Sequence, residues 1–187
     1  AKKRLPTLNA DELVKVLNHC NDRNKAIVMF MADSGLRRSE VCALNWEDID
    51  LSNGLVRVVR GKGGKARSVV IGVTTRRILM RYRRTINNSE PKSPVFQTRT
   101  NGRFTGKGLR EVFTSLSSKS GIHVTAHAMR RTFAILSLRA GLSPVHLQAL
   151  GGWEGLEMVK LYAQLQEEDL LEAHKEHSPI DNLGKLK

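Results

Sequence analysis

The chain has 187 residues, 40% of them hydrophobic, which is enough for one domain with a real core. No apolar run approaches the ~20 residues that a membrane span needs, and two cysteines, Cys20 and Cys42, do not make a disulfide framework, so no membrane partner and a reducing, cytoplasmic setting are expected. The net charge of +13 is concentrated: residues 51–153 carry 19 basic side chains against Glu90 and Glu111, whereas residues 1–50 are balanced and residues 154–187 are acidic. Soluble surfaces normally mix the signs, so a one-sign middle points to a polyanion, and nucleic acid is the expected partner.

In chain order, residues 1–8 read as a linker. Asn9 and Glu12 have capping-box spacing and predict a helix to about Cys20. "KAIVMFMADSG" is apolar nearly all round and reads as a buried helix ending at Gly35. "RSEVCALN" is a short helix and "WEDIDLSNG" a turn region. "LVRVVR" and "ARSVVIG" are β-rich runs joined by "GKGGK", a hairpin. "TTRRILMRYRRTI" is a basic amphipathic helix, residues 88–94 a loop, and "VFQT" a third strand.

Helices follow over "GKGLREVFTSLSSKSG", over "HAMRRTFAILSLRAG" with Phe133, Ile135, Leu136 and Leu138 turned to the core, and over "SPVHLQALGG", where Pro144 suits a first turn. "LEMVKLYAQL" and "EEDLLEAHKEH" are two more. The fold class predicted is mainly α with a small three-stranded antiparallel sheet.

Several chemistries lack their signatures. The sequence has no H-E-x-x-H and no C-x-x-C pair, and "GKGGKARS" joins two strands, whereas a phosphate-cradling P-loop precedes a helix. His123 and His127, or His174 and His177, are only two histidines each and alone make a weak zinc case. Neither a metal nor a cofactor is expected.

The basic residues are more telling. Arg37 follows the helix-ending Gly35, where its fork suits a phosphate, and Glu40 stands three residues on to hold it. Lys62 and Lys65 sit at a hairpin tip. His127 and Arg130 share the first turn of a helix, one able to move a proton and the other to hold a phosphate oxygen. Trp153 offers one indole N–H, and Tyr162 a phenol. Singly, each is an ordinary surface or core feature.

In this order and spacing they resemble the tyrosine recombinase, or phage integrase, family over residues 5–170. "SGLRRSEVCALNWEDIDL", "RGKGGKARSVVI", "TAHAMRRTFA" and "LGGWEGLEMVKLYAQL" are similar to its conserved boxes. The resemblance implies that family's catalytic-domain fold and a catalytic set of Arg37, Lys62, His127, Arg130, Trp153 and Tyr162, supported by Glu40. Lys65, Arg67 and Arg131 are expected on the DNA. Many members have histidine where this chain has Trp153, which can donate a hydrogen bond but cannot shuttle a proton.

The implied activity is site-specific cleavage and rejoining of double-stranded DNA through a 3′-phosphotyrosine, without metal or ATP, by several copies of the chain, expected as a tetramer. Lys62 is the expected general acid, with Lys65 left open, and His127 either assists proton removal from Tyr162 or orients the phosphate. Residues 1–8 are then a linker from an N-terminal DNA-binding domain, residues 9–173 the catalytic domain and residues 174–187 a tail. Ile180, Leu183 and Leu186 are expected in a groove, in cis in a monomer or in trans in an assembly. Type IB topoisomerase-like relaxation and a non-catalytic DNA-binding module are the alternatives.

Overall fold

The computed structural model describes residues 7–58, 66–155, 159–160, 174–175, 178 and 180–182. Within them run α1 (Ala10–Leu17), α2 (Asp22–Ser34), α3 (Arg38–Ala43), β1 (Ile49–Asp50), β2 (Leu55–Val58), β3 (Arg67–Val70), α4 (Val73–Arg83), α5 (Gly106–Ser120), α6 (Ala126–Arg139) and α7 (Pro144–Gly151). A 3-10 turn at Trp46–Asp48 leads into β1. The class is the mainly helical one, with a small antiparallel sheet, that the sequence predicts.

Helix α2 is the central element because its apolar residues run round the helix. Ala26, Ile27, Val28, Phe30 and Met31 are all buried, and α4 and α6 pack against it. The Asn21 side chain caps its start, and Gly35 stops it in the left-handed region at φ 63°. A Cβ on Gly35 would lie 2.2 Å from the Phe133 ring, so only glycine lets α6 come this close.

Helix α4 carries Arg76, Arg77, Arg81 and Arg83, yet buries Thr75, Leu79 and Tyr82. The Tyr82 hydroxyl accepts the Gln97 N–H at 3.1 Å, and its ring stacks on Phe96 at 6.1 Å. Helix α1 ends at Leu17, short of Cys20, with Asn18 as its cap.

The sheet runs β1-β2-β3. Strands β2 and β3 pair from Leu55 opposite Val70 to Val58 opposite Arg67, the hairpin expected. The third strand is Ile49–Asp50, paired with Val56 and Leu55, and not the expected "VFQT". Val95 and Phe96 are both buried, so that segment has no solvent face. Its N–H groups go elsewhere, Val95 to the Leu44 carbonyl and Gln97 to Tyr82. A two-residue strand is too short to show alternation, which is why its segment reads as a turn.

Helix α6 buries Ala128, Met129, Arg130, Thr132, Phe133 and Ala134. Ile135, Leu136 and Leu138, expected inside, are only half-buried. The tightly packed half of α6 is therefore the half that opens with the polar residues. Phe133 and Ala134 form a second, smaller apolar cluster with Leu147 of α7 and Val159. Ile180 is 72% exposed, which removes it from the groove expected in cis. Leu183 and Leu186 lie outside the described residues. No described helix is long and apolar enough to cross a membrane.

Candidate active site

Helix α7 ends at Leu150-Gly151-Gly152, and the last carbonyls of a helix lack partners within it. Three arginines from three elements supply them. Arg67 of β3 donates from Nε to the Leu150 carbonyl at 3.4 Å, Arg130 of α6 from Nη2 to Gly151 at 2.7 Å, and Arg37, the N-cap of α3, from Nη2 to Gly152 at 3.3 Å. Cations are favoured at this end of a helix by its dipole. One short stretch of backbone thus gathers side chains that are far apart in the chain.

Arg130 is 5% exposed. Its Nη1 donates to the Gly35 carbonyl, and its guanidinium sits over the Trp153 ring, 4.3 Å from the centroid. A Cβ on Gly151 would lie 1.9 Å from that ring, so the glycine leaves room for the indole. Gly152 sits at φ 61°, which lets the chain turn away from α7.

Arg37 keeps 42% of its side chain exposed. It is held to Glu40 twice, by its backbone N–H at 2.8 Å and by Nη1 at 3.3 Å. Glu40 is buried and also accepts a two-pronged contact from Arg67, at 2.7 and 3.0 Å. Burial by itself would raise the Glu40 carboxyl. The Arg67 hydrogen bonds, the Arg37 N–H and the two guanidinium charges outweigh it and bring the carboxyl down to about 2.

Arg67, expected on the DNA, is drawn into the same arrangement. Its side chain is only 12% exposed, and its three side-chain hydrogen bonds among the described residues go to Glu40 and Leu150. The partner is 27 residues away, so neither sequence spacing nor strand alternation reveals it.

His127 is exposed on the first turn of α6, whose start is capped by the Thr125 side chain accepting the Ala128 N–H at 3.0 Å. Partial burial and the charges of Arg131 and Arg130 lower its imidazole below the ordinary 6.5. Neutral near pH 7, it is able to accept a proton. His127, Arg37, Arg130 and Trp153 line one cavity of about 610 Å3. Arg38 and Arg110 line it too, and were missed in the sequence because nothing in their own spacing sets them apart. No carboxylate lines it among the described residues.

Such a concave, cationic wall suits an oxyanion. Arg37, Glu40, His127, Arg130 and Trp153 are thus brought together. Lys62, Lys65 and Tyr162 lie outside the described residues. Arg131 adjoins the site through its effect on His127.

A mainly helical domain with this small sheet and an arginine-lined cavity falls in the class of recombinase catalytic domains by its fold. The XerA recombinase crystal structure overlays with a TM-score of 0.80 at 27% identity, covering 96% of this chain and 67% of that one. The Tn1549 transposon integrase has the same fold, with a TM-score of 0.76 at 20% identity over 94% of this chain and 68% of that one.

Residues 6–169 match the phage integrase family, and the chain belongs to that family, the tyrosine recombinases. Tyrosine recombinase XerA of Saccharolobus solfataricus is 31% identical over 170 residues, 90% of this chain and 55% of that protein. Tyrosine recombinase XerC of Xanthomonas campestris pv. campestris is 32% identical over 187 residues, 96% of this chain and 58% of that protein. The chain therefore spans a little over half the length of these relatives.

Proposed function

We propose that this chain cleaves and rejoins double-stranded DNA as a site-specific recombinase, with Tyr162 as nucleophile. The observation that carries the reading is the convergence of Arg37, Arg130, His127 and Trp153 on one cavity that no carboxylate lines among the described residues. Of the two tyrosines in the sequence, Tyr82 is buried in the core with its hydroxyl bonded to Gln97, which leaves Tyr162 as the candidate.

In the reaction the Tyr162 oxygen forms a bond to phosphorus as the bond to the 5′ oxygen breaks. The product is a 3′-phosphotyrosine and a free 5′ hydroxyl. Negative charge on the nonbridging oxygens falls to Arg37 and Arg130, with the Trp153 N–H as a further donor. These residues supply the charge, and the reading calls on neither metal nor ATP. His127, held neutral, accepts the phenol proton, and Lys62 or Lys65 gives a proton to the leaving 5′ oxygen. Return attack by a 5′ hydroxyl of the same or another strand reseals the DNA, since the phosphotyrosine conserves the phosphodiester bond. Exchange between two duplexes breaks four strands, one per tyrosine, and so calls for four copies of the chain.

The basic middle of the sequence gives the affinity for duplex DNA, which falls steeply with salt. Incubation with a pool of nicked duplexes of randomised sequence, followed by denaturation, is the test. A covalent protein–DNA adduct is expected with the chain as it stands and none with Tyr162→Phe. An adduct of equal yield in Tyr162→Phe overturns the assignment.

A further inference from the structure

We propose that Arg67 is a positioning residue for Arg37, acting through Glu40 and the end of α7 and not on the DNA. This rests on the strand-transfer reading of the site, in which Arg37 holds the phosphate.

The argument begins with how weakly Arg37 is held by itself. Among the described residues its guanidinium makes two hydrogen bonds, to the Glu40 carboxylate and to the Gly152 carbonyl, both at 3.3 Å. A half-exposed arginine on two long hydrogen bonds is located only as well as its acceptors are. Arg67 fixes both acceptors. Its fork takes both oxygens of Glu40, at 2.7 and 3.0 Å, which leaves the carboxylate one orientation. In that orientation Oε2 meets the Arg37 N–H and Oε1 meets Arg37 Nη1.

At its other end Arg67 donates to Leu150, two residues from the second acceptor. It also packs against that acceptor: a Cβ on Gly152 would come within 2.8 Å of Arg67 Nε. So one side chain clamps the carboxylate and packs against the residue whose carbonyl is the other acceptor of Arg37.

A DNA-contact role does not fit this geometry. The side chain is nearly enclosed, and its fork and Nε point inward. Arg67 also opens β3, directly after the hairpin segment that carries Lys62 and Lys65. Strand β3 is thereby tied to the arginine frame, with Arg67 opposite Val58 in the ladder. Lysine cannot replace it, because an ammonium has no fork to fix both carboxylate oxygens.

The test uses Arg67→Lys, Glu40→Gln and the double variant, each first shown to be folded by its thermal transition. Two readouts are taken: single-turnover cleavage of the nicked-duplex pool alongside its dissociation constant, and the NMR signal of the Arg37 guanidinium without DNA. The expected result is a fall of tenfold or more in cleavage at saturating DNA for Arg67→Lys, with the dissociation constant within twofold. The loss in the double variant should not exceed that of the worse single variant, because both act on one clamp. Rotation of the Arg37 guanidinium should speed up in both single variants.

Weakened binding with the saturating rate preserved makes Arg67 a DNA contact and overturns the proposal. Losses that multiply in the double variant do so as well. If the unaltered chain forms no adduct, the strand-transfer reading fails, and the NMR comparison still decides whether Arg67 orders Arg37. An unchanged Arg37 signal in Arg67→Lys overturns the proposal by itself.

Discussion

Arg130 and Trp153 are stacked, the guanidinium carbon 4.3 Å from the ring centroid, and Arg130 is otherwise held by the carbonyls of Gly35 and Gly151. In the proposed mechanism the indole has two functions, to cover the buried arginine and to donate its N–H to the phosphate. Trp153→Phe keeps the first and loses the second, and Trp153→Ala loses both. A partly desolvated cation–π contact contributes about 1–2 kcal/mol, so single-turnover cleavage should fall about five- to thirtyfold further in Trp153→Ala than in Trp153→Phe. Equal losses mean that the stack contributes nothing.

Gly151→Ala should displace the indole without unfolding the chain. The new methyl would occupy the space of the Trp153 ring, which lies 1.9 Å from that position, while α7 itself accepts alanine readily. The expected outcome is a shifted Trp153 emission, a loss of cleavage comparable to Trp153→Ala, and a thermal transition within a few degrees of the original. An unshifted emission shows that the ring is not packed where the structure has it.

Glu40 makes acid stability a readout of the arginine frame. Its carboxyl is held at about 2 in the folded chain, against an ordinary 4.5. A depressed acid contributes stability that is complete above its ordinary value and is lost as pH falls toward the folded one. Breaking a buried pair of this kind costs about 3 kcal/mol. Urea unfolding at pH 7 should therefore show Glu40→Gln less stable by about that amount, and the gap should close between pH 4.5 and 2. A gap that stays constant over that range means the carboxylate is not what stabilises the fold.

His127 should titrate below 6.5, from burial first and then from the charges of Arg131 and Arg130. An imidazole held low is neutral in the folded chain where it would be charged in the unfolded one. Its contribution to stability is thus full above pH 6.5 and declines as pH falls below it. Proton NMR should place its midpoint below that ordinary value, and Arg131→Gln should raise it. If His127 is the base, cleavage should hold its plateau to below pH 6.5 and fall only as the imidazole charges. A midpoint above 6.5, or one indifferent to Arg131→Gln, contradicts the arrangement.

The sequence made the helices legible because their caps and stops are local. Asn9 with Glu12, Gly35 and Gly121 mark boundaries within a few residues of themselves, whereas the start of α2 at Asp22, capped by Asn21, lies before the apolar run that predicts the helix. Arg37, Glu40, His127, Arg130 and Trp153 were legible as a set through the resemblance to the tyrosine recombinases, and the structure brings them together. What was not legible is long-range. Arg67 meets a carboxylate 27 residues before it and a carbonyl 83 residues after it. Ile49–Asp50 becomes a strand only because β2 is beside it. The burial of Arg130 was similarly hidden, since the carbonyls that enclose it belong to the ends of α2 and α7. An arginine beside apolar residues reads as a solvated helix start until those two ends are known.

The central claim is that Tyr162 is the group joined to DNA, and peptide mapping of the adduct tests it most directly. After nuclease and protease digestion, mass spectrometry should find the residual 3′-nucleotide on the peptide containing Tyr162, with the Tyr82 peptide unmodified. A nucleotide on Tyr82, on a serine or on a histidine, or an adduct linked through a 5′ phosphate, would contradict the account.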